Sequence, residues 1–138
     1  MALALAGCSP DPLQIADQNA TTEGRSFASP PASMAAIYVV QTYGPNIDVT
    51  LDAGLLGTLR EDHWLRTDTR AGRHELRCRL VALRDTGDAL SIDIAAGQTI
   101  FVSVAYAPLR SPSCRLTLSS QAAAQPAILA GKRVRELR

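Results

Sequence analysis

The stretch His74-Glu75-Leu76-Arg77-Cys78-Arg79-Leu80-Val81-Ala82-Leu83 alternates charged and apolar side chains from Glu75 to Leu80. Leu76, Cys78 and Leu80 share one face and Glu75, Arg77 and Arg79 the other, which is the period of a half-buried β-strand. A turn signal follows at Asp85-Thr86-Gly87-Asp88, and residues 89–95 repeat the alternation, with Leu90, Ile92 and Ile94 opposite Ser91 and Asp93. Two such runs across a turn predict an antiparallel hairpin.

The same period extends to either side. Residues 46–52 place Ile47, Val49 and Leu51 against Asp48, Thr50 and Asp52, and a turn at Asp52-Ala53-Gly54 leads into a short strand over 55–59. Residues 35–43, rich in Ile, Tyr and Val, form a first strand that stops at Gly44-Pro45, and 63–69 form another with Trp64 expected at an edge. Over 99–106, Ile100, Val102, Val104 and Tyr106 alternate with Phe101, Ser103 and Ala105, so both faces are apolar and the strand is expected to be central. A loop over 108–113 precedes the last strand, 114–119, which sets Cys114, Leu116 and Leu118 on one face. Seven or eight short strands with no helix between them predict an all-β, antiparallel β-sandwich over 34–120. Residues 121–130 read as a helical turn interrupted at Pro126. Residues 121–138 read as a C-terminal tail with a basic, solvated end at Lys132, Arg133, Arg135 and Arg138.

The other landmark is Leu5-Ala6-Gly7-Cys8, whose apolar-small-small-cysteine order is similar to a bacterial lipobox. In that chemistry a diacylglyceryl group joins the cysteine thiol and the chain is cut before it, so residues 1–7 are expected to be the remnant of a signal peptide. Residues 8–33 then comprise the lipidated cysteine and a flexible linker, with Pro10, Pro12, Pro30 and Pro31 and no helical or alternating period. By resemblance to bacterial lipoproteins, Ser9 after the cysteine implies an outer-membrane location facing the periplasm.

Composition sets the remaining bounds. The chain has 138 residues, 46% hydrophobic and 20% charged, with a formal charge of +1. That is one domain's worth of sequence, and the charge balance gives no sign of nucleic-acid binding. Of the three cysteines, lipidation of Cys8 leaves Cys78 and Cys114, both on inward strand faces, as a disulfide pair suited to an oxidising compartment. Free buried thiols are the other reading of that pair.

Val49-Thr50-Leu51-Asp52, Gly57-Thr58 and Ala71-Gly72-Arg73-His74-Glu75-Leu76-Arg77 together resemble the PEGA-like pattern of a small β-sandwich. Ala53 stands where that pattern has glycine. Ala96-Gly97-Gln98-Thr99-Ile100-Phe101-Val102 is similar to a strand entry in an uncharacterised bacterial lipoprotein domain family. The resemblance covers about residues 35–118, rests on turn residues, and implies a cell-envelope accessory or surface-binding module.

Sites of chemistry are sparse. His63, His74 and Cys78 are the one set with metal-ligand chemistry, but there is no Cys-x-x-Cys or His-Glu-x-x-His, and His74 is expected to cap its own turn. There is no Gly-x-Ser-x-Gly elbow, and Asp48, Asp52 and Asp93 fall on outward faces. No catalytic residue, metal site or cofactor is assigned. The expected function is a lipid-anchored envelope binding or structural module, held to the membrane through Cys8 and contacting an unidentified envelope protein or polymer. The alternative is a carbohydrate- or peptidoglycan-binding module with Trp64 or Tyr43 as an aromatic platform. A metal-dependent secreted hydrolase using His63 or His74 ranks below it.

Overall fold

The computed structural model describes residues 15–108 and 112–138, with the backbone alone at 84–86. The Leu5-Ala6-Gly7-Cys8 motif lies outside the described residues. In chain order the elements are α1 (Gln18–Arg25), β1 (Met34–Gln41), β2 (Ile47–Leu51), β3 (Gly54–Leu59), β4 (His63–Arg70), β5 (Gly72–Leu80), β6 (Leu83–Ile94), β7 (Thr99–Ala107), β8 (Ser113–Ser119), α2 (Gln121–Ala130) and β9 (Lys132–Arg133).

The strands form two facing sheets, one ordered β8-β7-β1-β4-β9 and the other β3-β2-β5-β6. The β-sandwich expected from the alternating runs is therefore the fold. Most neighbours are antiparallel, while β1 with β7 and β4 with β9 are parallel. Period two explains the core directly: Ile47, Val49 and Leu51 of β2, Leu76, Cys78 and Leu80 of β5, and Val102 and Val104 of β7 meet between the sheets.

The five-stranded sheet is covered on its other face as well, which is why β1 is buried at seven of its eight positions. Tyr38, Val40, Trp64 and Phe101 form a second apolar cluster there with Ala124 and Ile128 of α2. Trp64 is thus fully buried beneath the helical layer and is not an edge residue. The helix α2 runs through Pro126 because its apolar face is anchored on the sheet, and Ser120 Oγ caps its start by accepting from Ala123 N at 3.1 Å.

Three expectations need correction. The linker does not extend to residue 33: α1 is capped by Asp17, and the Phe27 ring packs at a tilt against Tyr38 and Phe101. Nor are residues 121–138 a solvated tail, for β9 pairs with β4 and Val134 is buried in the inter-sheet core. Finally, the turn lies at residues 81–82, with Leu80 opposite Leu83, so Asp85-Thr86-Gly87-Asp88 falls inside β6. Gly87 serves a different need there, because a β-carbon at that position would collide with the Cys78 carbonyl oxygen.

Both open sides of the sandwich are closed. On one, Cys78 of β5 is bonded to Cys114 of β8, and Leu116 N donates to Asp88 Oδ2 at 3.0 Å. On the other, residues 134–138 run along β3 and β4, with Val134 N donating to Trp64 O and Leu137 N to Leu56 O.

Candidate functional site

The cysteine pair is the sequence-predicted site that the structure brings together. Inward positions on β5 and β8 place the Cα atoms of Cys78 and Cys114 6.2 Å apart, within the range a disulfide spans, and the two sulfurs are bonded. A disulfide sulfur is not a thiolate, so Cys78 cannot ligate a metal in this state.

The histidines stand on different sheets. His63, on β4, is buried with Nδ1 2.6 Å from Glu61 O. His74, on β5, has Nδ1 2.5 Å from Asp52 Oδ2 and Nε2 2.6 Å from Arg70 O. A carboxylate and a carbonyl both accept, so this placement favours the imidazolium form of His74, with a proton on each ring nitrogen. Burial works against that charge, but the hydrogen bonds to Asp52 and Arg70 outweigh it and hold His74 above its usual value. Asp52 is held below the usual carboxylate range by the Glu75 N–H, which donates to Oδ1 at 2.9 Å, and then by His74. His74 does brace its own turn, through Arg70 O, and also ties it to the β2–β3 turn. Among the described residues, no three His, Cys, Asp or Glu side chains come within reach of one ion.

A buried polar layer under α1 was not visible in the sequence. Arg66 is 3% exposed on β4, where its Nη1 donates to Tyr38 Oη at 2.9 Å and its Nε to Asp68 Oδ1 at 3.2 Å. Tyr38 Oη in turn donates to Gly24 O at 2.8 Å. Burial raises the Tyr38 phenol above its ordinary value, which keeps that proton in place. Arg133 lies over the Trp64 ring and donates to Ala20 O, while Arg25 donates to Gly131 O at 2.8 Å. Helix α1 is therefore held by the Tyr38 hydroxyl, which Arg66 braces, and by the Arg133 and Arg25 guanidinium groups rather than by an apolar stripe. Arg66 shares its strand face with Trp64 and Asp68, and what buries that face is the packing of distant segments over it.

No family model matches the chain, and no curated protein matches it.

Among the described residues, two open grooves stand out. An open groove of about 450 Å³ runs between Ile15 and Asp17 on one side and Arg133, Arg135 and Glu136 on the other. Another of about 290 Å³ lies beside His63, between Glu61 and Lys132. With Trp64 buried, the aromatic side chain most open to solvent is Tyr43, 65% exposed in the β1–β2 loop. That loop is braced from below, since the buried Gln41 amide donates to Pro45 O at 2.7 Å.

Proposed function

We propose that the chain is a lipid-anchored binding or structural module of the bacterial cell envelope, without catalytic activity of its own. The observation that carries this reading is the pairing of Cys78 with Cys114. It leaves Cys8, within Leu5-Ala6-Gly7-Cys8, as the odd cysteine of three, and a structural disulfide suits an oxidising compartment such as the periplasm. The small two-sheet body agrees with the PEGA-like resemblance, and the polar groups of the candidate sites are spent on bracing turns and α1. The membrane is reached through acylated Cys8, on the outer membrane in this reading, and the module's partner is an envelope protein or polymer.

The test is metabolic labelling with an alkyne-bearing palmitate, followed by membrane fractionation in high salt, which releases chain held to the membrane by charge alone. Wild type is expected in the membrane fraction carrying the label, and a Cys8→Ala variant is expected free of both. Retention of Cys8→Ala in the membrane fraction, or recovery of the chain from the cytosol with free Cys78 and Cys114 thiols, would overturn the reading. Crosslinking in intact envelopes then identifies the neighbour.

A further inference from the structure

We infer that the side of the body where Ile15, β3 and residues 134–138 meet is a membrane-facing surface that takes anionic phospholipid headgroups; this rests on the anchoring of Cys8 proposed above. The first ground is reach. Cys8 precedes Ile15 by seven residues, which cannot span more than about 25 Å even fully extended. Ile15 is itself fixed to the body, forming an isolated bridge with Val134, while Ala16 N donates to Arg133 O at 2.9 Å. An acylated Cys8 therefore holds this particular side within one short span of the lipid.

The second ground is what the surface displays. Ile15, Leu55 and Leu137 are 42%, 39% and 44% exposed, and Leu137 is held beside β3 by its bond to Leu56 O. Alongside them Lys132, Arg135 and Arg138 are exposed, Arg138 being paired with Glu136, while Arg133 is turned under α1. The two acids of the adjoining groove are engaged by neighbours, Asp17 while exposed and Glu136 while half-buried. Asp17 Oδ1 accepts from Ala20 N at 2.7 Å, and Glu136 Oε1 accepts from Thr67 Oγ1 at 2.6 Å and Arg138 Nε at 3.0 Å. Apolar side chains beside guanidinium groups match the boundary between acyl chains and anionic headgroups, where each basic residue near the surface strengthens partition about fivefold.

The experiment uses the full chain as Cys8→Ala, so that no acyl group contributes. It is sedimented with vesicles of phosphatidylglycerol and phosphatidylethanolamine, and separately with phosphatidylcholine alone. Binding is expected to the anionic vesicles and not to the neutral ones, and is expected to vanish in high salt. Arg135→Gln should weaken it about fivefold and an Ile15→Ser/Leu137→Ser pair should weaken it further. Arg115→Gln, the same charge change on β8 at the opposite edge of the sheet, should leave it unchanged. Circular dichroism of each variant checks the fold, and the two seam variants are independent, so loss of one to misfolding leaves the other decisive.

Absence of binding to anionic vesicles overturns the inference, as does equal weakening by Arg115→Gln. So does self-association through Leu137, which would assign the surface to a second copy. Because acylation plays no part in this measurement, its failure is distinct from failure of the Cys8 labelling test.

Discussion

Ala53 occupies a backbone position that a β-carbon resists. It and Asp52 have φ of +68° and +50° and form the two-residue loop between β2 and β3, which is the requirement of a type I′ hairpin turn. Glycine takes this conformation freely, whereas an L-residue loses about 1 kcal/mol or more in it. Ala53→Gly is expected to stabilise the chain by about 1 kcal/mol in urea denaturation. Gly87→Ala should act oppositely, by about 1 to 3 kcal/mol, because its methyl has nowhere to go beside Cys78 O. The His74–Asp52 contact gives a pH signature at the same scale. His74 is raised, so its contribution is whole below the ordinary histidine value of about 6.5 and lost as pH climbs through its higher folded value. Asp52 is lowered, so its contribution is whole above about 3.9 and lost as pH falls through its folded value. The stability gap between wild type and His74→Gln should therefore be wider at about pH 5 than at about pH 8.5.

At the scale of elements, α1 depends on the Tyr38 hydroxyl, which stands between Arg66 and Gly24. Tyr38→Phe leaves a buried guanidinium nitrogen and a carbonyl without that partner, and should cost about 1 to 3 kcal/mol. Limited proteolysis should then cut first within residues 15–33. This helix also shows where sequence reading stops. The strands β2, β5, β6, β7 and β8 were legible because alternation over five or more residues has one physical explanation, burial on one side of a sheet, while β1, β3 and β4 were legible from β-forming residues between turn signals. Helix α1 offers no such period: Gln18-Asn19-Ala20-Thr21-Thr22-Glu23-Gly24-Arg25 has poor helix formers, and its buried residue is a glycine. The signal available was Asp17, an N-cap residue three before Ala20. Strand β9 is two residues long and has no period at all. The hairpin was misplaced because Asp-Thr-Gly-Asp is ordinary turn chemistry, and a glycine needed for close approach looks the same in sequence as one needed for a turn. Of the candidate site, the cysteine pair followed from strand faces and arithmetic, while the Arg66 layer depends on segments brought together from far apart in the chain.

At the scale of the whole molecule, the Cys78–Cys114 bond joins the two sheets across one side. A Cys78→Ala/Cys114→Ala variant is expected to lose about 3 to 4 kcal/mol from the loop it no longer closes. Urea midpoints with and without reductant should show the same difference for wild type and none for the variant. The opposite side is closed by residues 134–138 and by Ile15, sequence positions 15 and 134 being neighbours in space. A chain that emerges in order from a ribosome or a translocation channel has made β1, β4 and their apolar outer face long before residue 132 arrives. Until then Trp64 lacks its cover of Arg133, and Ile128 is not yet in place. Such a nascent chain carries its tryptophan uncovered through roughly the second half of its synthesis, and its final collapse waits on the last strand to appear.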